Sequence, residues 1–219
     1  MSSVLRQPVR ACAFGQLFRR VPNASGCCYL TFDDGPDPQS TPAVLQALAA
    51  AGVKASFFVI GRLARAQVAL LRAAHAAGHT IGNHGWEHAH PWTLTKARAY
   101  NELRNGTDAI AQVIGARPAW YRPPHGRLNP YVLEAASREE QQIALWSLSA
   151  VDWGPLATSR GILRRLQRVQ ASDIVLMHDG PLRHNCPDKT VRVLPVLLAL
   201  LARRGPGAAA LPPAVTMSE

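Results

Sequence analysis

The chain of 219 residues is 47% hydrophobic with 17 Pro and 16 Gly, which suits one α/β domain whose core needs no disulfide or metal staple. Lys plus Arg number 24 against 14 Asp plus Glu, a formal charge of +10, yet the arginines are spread through Ala/Leu-rich helical patterns such as residues 163–168, so solvated helix faces are favoured over a nucleic-acid site. The cysteines at 12, 27, 28 and 186 form no Cys-x-x-Cys pair and no regular framework, which argues against a zinc knuckle or a disulfide scaffold.

The first twenty residues hold Arg6, Arg10, Arg19 and Arg20 without the apolar core of an export signal, and no later stretch is long enough to span a membrane. A cytoplasmic location is the expectation that follows. After this polar lead, residues 1–25, a first strand is expected over 28–32, ending at Asp33-Asp34-Gly35-Pro36, where Gly and Pro stop the extended run. A helix follows over 41–51, opened by Thr41-Pro42 with proline in the first turn.

Next come a strand over 55–60, a helix over 63–77 closed by Gly78, and a short strand over 80–83 that runs into His84-Gly85-Trp86-Glu87-His88. A helix over 95–113, a strand tip at 120–122 before Pro123-Pro124, a helix over 131–140 and a strand over 143–146 continue the series. It closes with a helix over 160–169, a strand over 174–177 and a Leu-rich helix over 190–203, completing a domain of residues 26–205. An edge strand near 208–211 falls in the Gly/Pro/Ala-rich tail, residues 206–219. β-prone runs alternating with helical periods call for a parallel sheet wound with helices, and neither a repeat nor a linker interrupts it.

Asp33/Asp34, His84/His88, Arg122, Asp152 and His178 all fall at or just beyond the C-terminal end of a predicted strand, the rim where parallel α/β folds bind ligands. Adjacent carboxylates repel one another and call for a cation. His84 and His88, four apart, would share one side of a helical turn and, with Asp34, make a three-ligand set that leaves a coordination position for water. Singly these signals are modest: a strand-end Asp-Asp-Gly is more often a turn or a cap, and a histidine pair is as often solvated. His79 and His90 read as structural.

Five motifs occur in order: Thr31-Phe32-Asp33-Asp34-Gly35-Pro36, His84-Gly85-Trp86-Glu87-His88, Arg122-Pro123-Pro124-His125-Gly126, Asp152-Trp153 and Leu176-Met177-His178. Together they resemble the NodB-like polysaccharide deacetylases, carbohydrate esterase family 4, over residues 28 to about 180. The resemblance implies a distorted, incomplete (β/α) barrel of about seven strands. It also implies Zn2+ or another divalent ion such as Co2+ on Asp34, His84 and His88, with Asp33 as base and His178 as acid. Asp152 would hold and polarise His178, and Arg122 would pair with Asp33. A backbone N–H near His125 would face the oxyanion, and Pro124, His125, Trp153 and Leu176 would border the substrate, Trp153 and Leu176 around the acetyl methyl.

This chain departs from the family pattern in three places. Gly85 stands where Ser or Thr is usual, His125 where Tyr is common, and Ser149 in the first place of an Asp-x-x-Asp-Trp motif. The implied substrate is an N-acetylated sugar or glycan. Other small amides (a glycosylated metabolite, a formamide, a cyclic imide) and an inactive carbohydrate-binding member are the alternatives.

Overall fold

The structure is a computed structural model, and it describes residues 16–22, 26–182, 184–213 and 215. Of the expected lead, residues 1–15 and 23–25, with Arg6, Arg10 and Cys12, lie outside the described residues, as do 214 and 216–219 of the tail. In chain order the elements are β1 (Leu17–Phe18), β2 (Cys27–Asp33), α1 (Thr41–Ala50), β3 (Ser56–Val59), α2 (Gly61–Ala66), α3 (Val68–Ala76), β4 (Thr80–Asn83), α4 (Lys96–Ile114), β5 (Trp120–Tyr121), α5 (Pro130–Arg138), β6 (Gln142–Ala144), β7 (Leu148–Ser149), α6 (Ser159–Leu166), β8 (Ile174–His178), α7 (Pro187–Arg204) and β9 (Gly207–Ala209).

Every strand pair is parallel, in the order β1-β6-β5-β4-β3-β2-β8-β7, with β9 beside the start of β2. The sheet curls into an incomplete (β/α) barrel. Beneath it, the chain after β1 meets the start of β8 through an antiparallel bridge between Arg20 and Asp173 and a hydrogen bond from Val21 N to Ser172 O (3.0 Å). No helix among the described residues is long and apolar enough to cross a membrane.

Two-residue periodicity decides which side chains enter the barrel. Along β2, Cys28, Leu30 and Phe32 join the core beneath the helices with Val44, Leu48 and Leu197. The intervening Tyr29, Thr31 and Asp33 point inward, in register with Ile174, Leu176 and His178 of β8. Trp120 closes the lower interior against Phe18, their ring centroids 5.7 Å apart. The inward positions therefore turn from apolar or aromatic at the bottom, Tyr29 and Ile174, to Asp33 and His178 at the C-terminal rim.

The helix expected over 63–77 is two helices, because Gln67 (φ −121, ψ 47) leaves the helical region and restarts the axis. β1 and β7, two residues each, have no counterpart among the expected strands: so short a run carries no period, and neither is marked by a following Pro-Pro as the equally short β5 is. The expected edge strand appears as β9, shifted to Gly207–Ala209.

Helix α4 sets the rim at β4. Its N-cap Thr95 accepts from Arg98 N, and Gly115 (φ 75) closes its C-terminus. Asn83, at the end of β4, donates through Nδ2 to Leu103 O (2.8 Å) and Thr107 Oγ1 (3.1 Å) on that helix. Contact this close requires Gly106, because a Cβ there would strike Asn83 Oδ1 and the Gly85 carbonyl. Alanine in a helix interior ordinarily gains up to ~1 kcal/mol over glycine. Here Gly106→Ala is expected to lower stability by about 1–3 kcal/mol through overpacking, measured as the urea midpoint, and a stabilised variant would contradict this packing.

Candidate active site

At the end of β2 the chain turns with Asp34 at φ 74. In a continuing strand, Asp33 and Asp34 would face opposite sides of the sheet; the left-handed residue brings both carboxylates into one cavity of about 430 Å³. His84, His88, His125, Trp153, Leu176 and His178 line the same cavity. Pro124 is not among them; it is buried beside Gly85. Arg122 and Asp152 are likewise fully buried and reach the cavity only through Asp33 and His178.

Asp34 Oδ2 accepts from Asn185 Nδ2 at 2.6 Å. Its Oδ1 is buried without a conventional hydrogen bond and faces His84 Nε2 at 3.3 Å and His88 Nε2 at 3.2 Å. The ligand atoms of Asp34, His84 and His88 lie within 4.8 Å of one another, compatible with one shared divalent ion. The Nδ1 of His84 is 2.7 Å from the Arg122 carbonyl, so it donates there and presents its Nε2 lone pair to the cluster. One carboxylate oxygen and two imidazole nitrogens converging in this way form the kind of mixed oxygen and nitrogen donor set that suits a divalent cation.

The helical turn expected to align the two histidines is absent. Residues 84–90 form a loop in which Gly85 (φ 84) and His88 (φ 62) are left-handed. Glu102 Oε2 fastens this loop by accepting from Trp86 N and Glu87 N, both 3.1 Å, while Asn83 Oδ1 accepts from Gly85 N (2.9 Å). A Cβ at Gly85 would approach Glu102 Oε2 to 3.2 Å, so the carboxylate occupies the region where a hydroxyl-bearing residue would stand.

Arg122 Nη1 donates to Asp33 Oδ1 (2.6 Å) and Thr31 Oγ1 (2.7 Å), and Nε and Nη2 donate to the carbonyls of Ala144 and Leu145. Its guanidinium lies 4.0 Å from the centroid of Phe58. Burial pushes the Arg122 pKa down, with the Asp33 charge opposing. Across the cavity, His178 Nδ1 lies 2.8 Å from Asp152 Oδ1, and Asp152 Oδ2 accepts from His178 N and Thr190 Oγ1. Burial would lower the His178 pKa, but the Asp152 hydrogen bond and charge, reinforced by Asp34 and Asp33, raise it to about 9. Burial likewise opposes ionisation of Asp34, yet His84, His88 and His178 together hold its pKa below the usual carboxylate range. His88 falls to about 3 through burial and the neighbouring His84.

A model of the polysaccharide deacetylase family matches residues 20–144. This chain belongs to that family. It is 31% identical over 193 residues to a peptidoglycan-N-acetylglucosamine deacetylase of Bacillus cereus, covering 87% of this chain and 89% of the relative. It is 34% identical over 186 residues to a chitooligosaccharide deacetylase of Bradyrhizobium, covering 81% and 85%. Its fold superposes on a family 4 carbohydrate esterase from Streptomyces lividans with a TM-score of 0.76 and 30% identity, covering 85% and 92%. The chain is thus a hydrolase of the deacetylase type, within carbohydrate esterase family 4.

Several residues of the candidate site of this deacetylase are not evident from its motifs. Asn185 belongs to the loop between β8 and α7, joined to the 151–154 loop by the Trp153–Asn185 bridge and by Gly154 N donating to His184 O. Trp146, just past β6, lines the cavity too. Ser149, in place of a second acid, accepts from Val151 N (3.1 Å) and supports the left-handed Val151 (φ 54) ahead of Asp152. His79 is structural as expected: its Nδ1 accepts from Ala55 N (3.1 Å), and burial lowers its pKa to about 4. Asp179, directly after His178, is buried and pushed up to about 7 by that burial; Thr41 Oγ1 donates to it.

Arg122→Met is expected to cost about 3–5 kcal/mol of folding stability, because Asp33 and two buried carbonyls lose their donor at once. Chemical denaturation reads this, and a loss below ~1 kcal/mol would show that the pair is not structurally required.

Proposed function

We propose that this deacetylase hydrolyses N-acetyl groups of N-acetylhexosamine-containing glycans or oligosaccharides, releasing acetate and a free amine, with Zn2+ or a similar divalent ion such as Co2+ on Asp34, His84 and His88. The observation that carries this reading is Asp34 Oδ1, buried without a conventional hydrogen bond and facing two imidazoles, with Asp33 and His178 in the same cavity. When bound, the cation supplies Lewis acidity to the amide carbonyl and makes water more acidic.

The roles of the side chains follow from their partners. Arg122 occupies Asp33 Oδ1, which leaves Oδ2 to take the proton of the attacking water. Water adds to the carbonyl carbon, the C–N bond breaks, and His178 Nε2 gives its proton to the departing nitrogen. Asp152 keeps His178 cationic and aims it by fixing Nδ1–H, so Nε2 is the nitrogen left to donate. Trp153, which meets the His178 ring edge-on at 5.4 Å, and Leu176 form an apolar wall suited to the acetyl methyl. Backbone N–H near His125 is the candidate donor to the oxyanion.

Purified protein with added metal, incubated with chitooligosaccharides, peptidoglycan fragments and small acylamides, should release acetate and amine from the N-acetyl sugars; silence on all of them removes the sugar assignment. Asp33→Asn should lower kcat about 100-fold or more while calorimetry still shows one bound ion, whereas Asp34→Ala should abolish ion binding.

A raised pKa keeps His178 protonated at neutral pH, so kcat should fall as pH rises through a value at or below about 9, since a nearby cation pulls it down. Asp152→Asn withdraws the stabilising charge and should move that alkaline limb to lower pH. A limb that stays in place would remove His178 as the titrating acid.

A further inference from the structure

Beside the cavity an indole is held out to solvent: Trp92 is 63% exposed, although large apolar rings usually find cover. It is not loose. Trp92 Nε1 donates to Leu128 O (3.2 Å), and Asn129 Nδ2 donates to Pro91 O (2.7 Å), which ties the turn at residues 91–93 to the loop after His125. The Arg127 guanidinium lies 4.8 Å from the indole centroid. His90 meets Trp92 edge-on at 5.4 Å and stacks on His125 at 4.9 Å, interplanar angle 28°. His125 itself lines the catalytic cavity. The rings of His125, His90 and Trp92 therefore form one continuous strip leading out of the active site.

Resting on the function proposed above, we propose that this strip is a glycan subsite, on which Trp92 stacks against a sugar flanking the one that is deacetylated. A pyranose has a face of C–H groups rimmed by hydroxyls, which suits the indole face opposite the one that the Arg127 guanidinium covers. Fixing the indole in advance removes the ordering cost that a mobile side chain would add on binding. The substrate class is thus an N-acetylated oligosaccharide that reaches beyond the cavity, rather than an isolated sugar.

The test uses the full chain with metal and N-acetylglucosamine oligomers of one to four sugars. Lengthening the oligomer should lower KM for the unsubstituted protein. Trp92→Ala should erase that gain, raising KM for the tetramer about tenfold, the scale of one aromatic contact, with kcat and turnover of the monomer unchanged. Trp92→Phe should recover part of it, since the ring remains but the hydrogen bond to Leu128 O is lost. An equal KM at every length with and without Trp92, while turnover persists, overturns the strip and leaves the deacetylase reading intact. Calorimetric titration of Asp33→Asn with the same oligomers, with and without Trp92→Ala, reads the strip independently of turnover. Affinity that ignores Trp92 there overturns it; length-dependent affinity lost with Trp92 supports it even if no sugar is deacetylated, and that failure would then fall on the function alone.

Discussion

The site depends on one backbone constraint: consecutive carboxylates at the end of β2 must both face the same cavity. Strand geometry alone sends Asp33 inward with Tyr29 and Thr31, and would send Asp34 out among the residues that pack under the helices. The left-handed turn at Asp34 reverses that second direction. A non-glycine residue at φ 74 is unfavourable by roughly 1–3 kcal/mol, and it persists where its surroundings over-determine it. Here they do: Asn185 holds Asp34 Oδ2, and Asp179 N and Gly180 N both donate to Asp33 O beneath the turn. Gly180 lies so close to the Asp34 backbone that a Cβ would collide with it.

Once both carboxylates are inside, the remaining architecture keeps their environments apart. Asp33 faces a guanidinium sealed between Phe58 and backbone carbonyls, and Asp34 faces imidazoles. The two like charges thus differ in their nearest partners, although His84 Nε2 lies within reach of both, 3.3 Å from Asp34 Oδ1 and 3.8 Å from Asp33 Oδ2. The His178–Asp152 pair repeats the pattern on the opposite wall. Its carboxylate is fully buried and accepts from His178 N and Thr190 Oγ1 as well as facing the imidazole Nδ1, so the ring has little freedom to turn.

The winding and the rim could be read from the sequence because both rest on periodicities that survive in one dimension. Apolar, β-prone runs located β2, β3 and β8, and the strand ends delivered Asp33, His84, Arg122, Asp152 and His178 to one mouth. What periodicity cannot express was misread or missed. The spacing of His84 and His88 resembled one helical turn, yet the same juxtaposition arises from a loop with two left-handed residues and a Glu102 clasp. Asn185 sits in a Pro- and His-containing loop with no regular pattern, and it reaches Asp34 across 151 residues.

Rigid strands and adaptable loops thus divide the work in this fold. Asp33, Arg122 and His178 extend from or adjoin strands whose register fixes them to one another, so their geometry changes only if the sheet does. Trp92, His125 and Asn185 stand on connections, each pinned or stacked by a few local contacts. Substitution there leaves the sheet register untouched, which makes these connections the natural place for relatives with one chemistry to differ in the glycan they accept. His125 shows how small the adjustment can be: a left-handed residue (φ 58) at the rim turns one imidazole between His88, beside Asp34 and His84, and His90, which meets Trp92. A single side chain there touches both the chemistry and the surface leading to it.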